Sequence, residues 1–213
     1  MLLYYGADKI VEKPIYGMGN PSNDYGLGFY LTPLKEMAEL WASKNENGGY
    51  VMTFDVELKN LKILNLKDGS KEDVLKWISL LINHRFSKDD YTSNKKTIEW
   101  LRKKYSINTE DYDVIIGYRA DDSYFAYSLD FVRNDLSLEL LSEAMHLGKL
   151  GEQVVLISKK AFERVTLCDY YKVDYSQNYK IFKNSTLSQY RTIKSRDKIN
   201  NTFIRDIIRR EGE

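Results

Sequence analysis

The sequence predicts an α+β fold, and three observations carry that reading. Segments rich in β-branched and aromatic residues between turn formers lie towards both ends of the chain, and they do not alternate strictly with helical segments as a doubly wound sheet requires. No Gly-x-Gly-x-x-Gly opens a helix after the first strand, which removes the usual dinucleotide-binding fold. At 213 residues the chain suffices for one good core and is tight for two, so one domain is expected.

The elements follow in order. Leu2 to Tyr5 reads as a strand ended by Gly6. Gly28 to Thr32 reads as a second, buried strand, with Gly26 and Gly28 letting the backbone lie close to a ligand and the apolar run aiming Tyr30 at it. Pro33 suits a first helical position with Thr32 as cap, in a helix running to Lys44. Further strands are expected at Tyr50 to Val56, Lys62 to Asn65, Asp113 to Tyr118, Gln153 to Ser158 and Arg164 to Val173. Further helices are expected at Lys71 to His84, Lys95 to Lys104, Tyr124 to Val132 and Leu138 to His146. In the first of these Val74, Leu75, Trp77, Ile78, Leu81 and Ile82 recur at helical spacing, which makes it amphipathic. The polar, charged segment 67–111 is a helical insertion between core strands, either a solvated lid or a packing layer.

The stretch 174–213 differs in composition. It holds nine Lys or Arg against five Asp or Glu, a balance of +4, where residues 1–173 carry −3. Tyr175, Tyr179, Phe182, Tyr190 and Phe203 interleave with those charges. This extension either offers a nucleic-acid or partner surface or folds back on the domain.

Three short pieces stand out as a set: Leu3-Tyr4-Tyr5-Gly6, Gly26-Leu27-Gly28-Phe29-Tyr30-Leu31-Thr32 and Gly151-Glu152-Gln153-Val154-Val155-Leu156. In this order they resemble the motifs of the ADP-ribosyltransferases, in the diphtheria-toxin and poly-ADP-ribose-polymerase branch. There a first strand ends in His-Gly, a second carries Gly-x-Gly-Ile-Tyr-Phe-Ala, and a later strand opens with a glutamate. Trp41 stands eleven positions after Tyr30, where that branch has a second aromatic. Asp24-Tyr25-Gly26, Ile116-Gly117-Tyr118-Arg119-Ala120-Asp121-Asp122 and Gln153-Val154-Val155-Leu156 bring the chain closer still to a family of uncharacterised bacterial proteins within that superfamily. The resemblance covers roughly residues 1 to 170.

The resemblance implies a split β-sheet core with a helical insertion, and NAD as substrate. Tyr30 and Trp41 would sandwich nicotinamide, with Tyr5, Gly6 and Gly28 beside it. Glu152 would be the carboxylate that stabilises positive charge on the ribose as nicotinamide leaves. Gln153 is the residue typical of the closer family, so the acid is Glu152 or, if the register shifts by one, Asp121 or Asp122. Tyr5 departs from the His or Arg usual before the glycine. Its hydroxyl brings no charge, and Arg119 would supply the cation to the pyrophosphate.

The implied function is transfer of ADP-ribose to a macromolecular acceptor by a bacterial toxin, defence or effector protein. Protein is slightly favoured over nucleic acid as acceptor, because the net charge is only +1. The alternatives are a catalytically weak or inactive NAD-binding module, and a toxin–antitoxin component acting on nucleic acid whose cleft a small antitoxin masks.

The remaining signals are exclusions. Cys168 is the only cysteine, which rules out an intramolecular disulfide and favours a reducing compartment. The start lacks a basic leader and no stretch approaches the ~20 apolar residues of a membrane span, so a cytoplasmic location with no membrane contact is expected. His84 and His146 lack partners at metal spacing, so no metal site is expected.

Overall fold

The computed structural model describes residues 1–67, 70–120, 122–146, 152–196 and 201–212, without the side chains of 122–124. Two open sheets carry the fold. One holds β1 (Leu2–Ala7), β3 (Gly49–Val56) and β7 (Val165–Val173), antiparallel in the order β1-β3-β7. The other holds β2 (Phe29–Leu31), β6 (Glu152–Leu156), β5 (Val114–Tyr118) and β4 (Ile63–Asn65) in the order β2-β6-β5-β4, with only the β4–β5 pair parallel. A single antiparallel bridge joins them, in which Tyr4 and Thr32 exchange backbone hydrogen bonds of 2.8 and 2.9 Å. Leu3, Phe29, Leu31, Phe54, Val154 and Leu156 from both sheets fill one core cluster.

The helices are α1 (Lys35–Ala42), α2 (Lys71–Arg85), α3 (Lys88–Ser93), α4 (Lys95–Tyr105), α5 (Asp122–Val132), α6 (Leu138–Met145), α7 (Lys159–Phe162), α8 (Asn178–Lys194) and α9 (Ile204–Glu211). Of the segment 67–111, the described residues 70–111 form a packing layer. Ser70 caps α2 by accepting from Asp73 N, and Trp77, Ile78 and Leu81 are fully buried in the larger core cluster. The indole N–H of Trp77 donates to Tyr118 O at 3.1 Å, which ties this layer to the end of β5.

Two local expectations change. Helix α1 begins at Lys35 behind Leu34, two residues later than Pro33 would start it. Thr32 is therefore no helix cap; it is bridged to β1, and its hydroxyl accepts from Leu34 N at 3.2 Å. The described residues of the extension, 174–196 and 201–212, fold back with α8 and α9. Tyr190 stacks on Tyr127 with ring centroids 3.6 Å apart and donates to Asp130 at 2.6 Å, while Ile204 and Ile207 enter the larger core. Among the described residues no helix is long and apolar enough to cross a membrane.

Candidate functional site

A cleft of about 720 Å³ opens along β1 and β2, a size usual for small-molecule sites. Its walls include Tyr5 and Gly6 of β1, Gly28 and Tyr30 around β2, Trp41 of α1, Arg119 after β5 and Gln153 of β6. These seven residues come from five separated segments of the sequence. The bridge between Tyr4 and Thr32 is what sets β1 beside β2 and makes them neighbours.

The glycines act through packing. A Cβ at Gly6 would overlap the backbone carbonyl of Ala38, so glycine here lets α1 lie against β1 and carry Trp41 to the cleft. A Cβ at Gly28 would stand 2.6 Å from Val155 Cγ1. Gly26 has φ +77°, a left-handed turn that other residues resist, and a Cβ there would meet the His84 ring at 2.7 Å. Gly28 lines the cleft whereas Gly26 is not among the lining residues, and at both a neighbouring side chain takes the space a Cβ would need.

Tyr30 has its hydroxyl engaged inside the protein. It donates to Gly26 O at 2.6 Å and accepts from Tyr25 N at 3.1 Å, closing the turn that precedes β2. Burial pushes this hydroxyl far above its ordinary pKa, against the opposing Tyr25 N–H, so it stays protonated. Tyr5 is raised too, by burial first and Asp8 second, and its ring rests on Phe29 at 4.8 Å. Neither tyrosine serves as a base near neutral pH.

Trp41 is set among cations. The Arg119 guanidinium lies 4.6 Å and the Lys44 ammonium 4.2 Å from its ring, and Tyr179 of α8 meets it edge-on at 5.5 Å. The indole Nε1 is buried with no hydrogen-bond partner among the described residues. Arg119 is 8% exposed. This wall suits an anionic group beside a planar one.

Glu152, expected as the acid of the cleft, is not among the residues that line it. Strand neighbours point to opposite faces, and it is Gln153 that lines the cleft. Glu152 sits opposite Tyr118 and pairs with Lys67 at 2.8 Å, one residue out of register with the cleft-lining position. Gln153 is 7% exposed; its Nε2 donates to Asp24 at 3.3 Å and its Oε1 has no partner among the described residues. Of the alternative acids, Asp121 lies outside the described residues, as does the side chain of Asp122, the first residue of α5.

Two further residues of the site are not among the candidate site residues that the sequence suggests. Asp24, 5% exposed, accepts from Arg85 at 2.6 Å and from Ala120 N at 2.8 Å. Arg85 ends α2 and also donates to the Ala120 carbonyl. Asp24 had a signal, as the first residue of Asp24-Tyr25-Gly26; Arg85 had none beyond its place at a helix end.

A protein family described as "Protein of unknown function (DUF3990)" matches residues 1–167 of the chain. No curated protein and no solved structure matches it.

Proposed function

The chain belongs to the DUF3990 family, and we propose that its cleft binds NAD and serves transfer of ADP-ribose to a macromolecular acceptor. One observation carries the reading: Tyr5, Gly6, Gly28, Tyr30, Trp41, Arg119 and Gln153, which resemblance to ADP-ribosyltransferases singles out, line a single cleft. The fit to NAD is chemical as well. Trp41 Nε1 is a buried donor and Gln153 Oε1 a buried acceptor, neither with a partner among the described residues. A dinucleotide offers amide and hydroxyl groups to such atoms. Arg119 and Lys44 suit its pyrophosphate.

In the proposed reaction the bond between nicotinamide nitrogen and ribose C1′ breaks, its electron pair leaving with nicotinamide. An acceptor nucleophile then bonds to C1′ and gives up its proton. Positive charge grows on the ribose in between, and an acceptor dipole such as the Gln153 carbonyl favours it.

A second reading is a module that binds NAD without transferring it. It is favoured by the amide of Gln153 lining the cleft in place of Glu152, since among the described residues the carboxylates lining the cleft are Asp8 and Asp24, and Asp24 already serves three donors. Calorimetric titration with NAD, followed by nicotinamide release and label transfer in a cell lysate, separates the two. Binding with release supports transfer, binding without release supports the module, and no heat at millimolar NAD refutes both.

A further inference from the structure

We propose that Asp24 is a positioning residue that fixes Gln153 as a neutral hydrogen-bond acceptor, so that the cleft selects a ligand group bearing a hydroxyl or N–H at that point. The proposal rests on the NAD reading of the cleft and names what the β6 end of it recognises.

The geometry is specific to a carboxylate at Asp24. Oδ1 accepts from Arg85 Nη1, and Oδ2 accepts from both Ala120 N and Gln153 Nε2. Three donors converge on two oxygens, an arrangement that suits the two acceptor oxygens of a carboxylate. Arg85 supplies the compensating charge that a group 5% exposed requires.

The consequence reaches Gln153 because an amide has two unlike ends. With Nε2 given to Asp24, the end left over is Oε1, the buried acceptor without a partner among the described residues. Turning the amide over would set carbonyl oxygen against carboxylate oxygen. A glutamate at this position would bring a second carboxylate against Asp24, and two carboxylates sharing a site resist joint ionisation. The amide is therefore the group this neighbour demands. The same Oδ2 holds Ala120 N–H, so one carboxylate also fixes the segment that carries Arg119.

The test uses the full chain labelled with nitrogen-15. The side-chain amide signals of Gln153 are assigned by their loss in Gln153→Met. In the ligand-free wild type they should exchange with solvent at least tenfold more slowly than those of exposed Gln189. Asp24→Asn replaces one acceptor by a donor, so it should shift the Gln153 signals, remove their protection and weaken NAD binding at least tenfold. Should Asp24→Asn fail to fold, the wild-type exchange rates and the tenfold loss of NAD binding expected for Gln153→Met decide the matter. Gln153 amide exchange as fast as that of Gln189 overturns the proposal, and so does wild-type affinity in either folded variant. Unmoved Gln153 signals at saturating NAD overturn it as well. If the wild type does not bind NAD at all, the NAD reading falls, and the exchange rate in the free protein alone upholds or overturns the Asp24 role.

Discussion

Glu152 and Gln153 are neighbours in β6 with opposite surroundings: Gln153 lines the cleft and donates to Asp24 at 3.3 Å, while Glu152 is paired with Lys67 at 2.8 Å. The Lys67–Glu152 pair is partly exposed, and such pairs contribute about 0–1 kcal/mol. Glu152→Gln should therefore lower stability by less than about 1 kcal/mol and leave NAD affinity and nicotinamide release near wild type. Removing a buried acceptor with Gln153→Met should reduce both. Calorimetry and a release assay on the two folded variants check this; loss of release in Glu152→Gln alone would return the acid to that residue.

Ligand binding should be visible through Trp41. Trp77 is fully buried and Trp100 is 7% exposed, whereas Trp41 borders the cleft beside Arg119 and Lys44. NAD should change the tryptophan emission in the wild type, and Trp41→Phe should abolish that change while leaving the emission of the other two. At ~100 times its dissociation constant NAD should also add ~2.7 kcal/mol to the folded state. An emission change that persists in Trp41→Phe would place the ligand away from this wall.

Gly6→Ala should be among the more damaging small substitutions in the chain. Its Cβ meets the Ala38 carbonyl, part of a helix backbone that cannot rotate aside, so α1 must shift away from β1. Overpacking of this kind costs about 1–3 kcal/mol. Because α1 carries Trp41, NAD affinity should fall as well. Chemical denaturation and titration test both halves; an unchanged midpoint would mean that α1 accommodates the methyl group freely.

These cases show what the sequence discloses and what it withholds. The strands are legible because β-branched and aromatic runs between turn residues mark a local preference, and Trp77, Ile78 and Leu81 mark the buried side of α2 by spacing. The wall formed by Tyr5, Gly6, Gly28, Tyr30, Trp41, Arg119 and Gln153 is legible only as an ordered set of motifs. The choice between Glu152 and Gln153 is not legible, because a shift of one residue reverses the face of a strand and composition does not fix register. Arg85 is hidden for another reason: its partner Asp24 is 61 residues away, and their meeting depends on how α2 packs. Helix α1 begins later than Thr32-Pro33 suggests because Thr32 resembles a cap but is engaged by the bridge to Tyr4.

His84 should make the fold sensitive to mild acid. Burial lowers its pKa below the ordinary value, with the Pro21 carbonyl hydrogen bond acting partly the other way. Between the unfolded value of about 6.5 and the lowered folded value, the unfolded chain binds more protons, so stability falls as pH drops through that window. Asp113, Glu139 and Glu211, whose pKa values are lowered, lose their contribution only at more acid pH. Denaturant midpoints measured from pH 7.5 to 5.5 should decline in the wild type and flatten in His84→Gln. An equal decline in both would assign the effect to other groups.

The family match ends at residue 167, yet the extension beyond it is built into the core, so removing it should unfold the protein. Tyr190, Ile193, Ile204 and Ile207 are buried, and each fully buried large apolar side chain contributes about 1.5–3 kcal/mol. Four of them together rival the net stability of a whole domain, about 5–15 kcal/mol. A chain ending at residue 173 should therefore lose its cooperative unfolding transition, which circular dichroism during denaturation would show. Under the proposed transfer reading, a role of the extension in acceptor choice has to be sought on its exposed side, at Lys180 and Arg191 of α8. Exchanging both for Glu in the full chain should leave the denaturation midpoint and NAD affinity unchanged while altering which macromolecule takes up label from NAD. A folded 1–173 chain would show that the extension is not needed for stability, and an unchanged labelling pattern in the double variant would show that this exposed side does not select the acceptor.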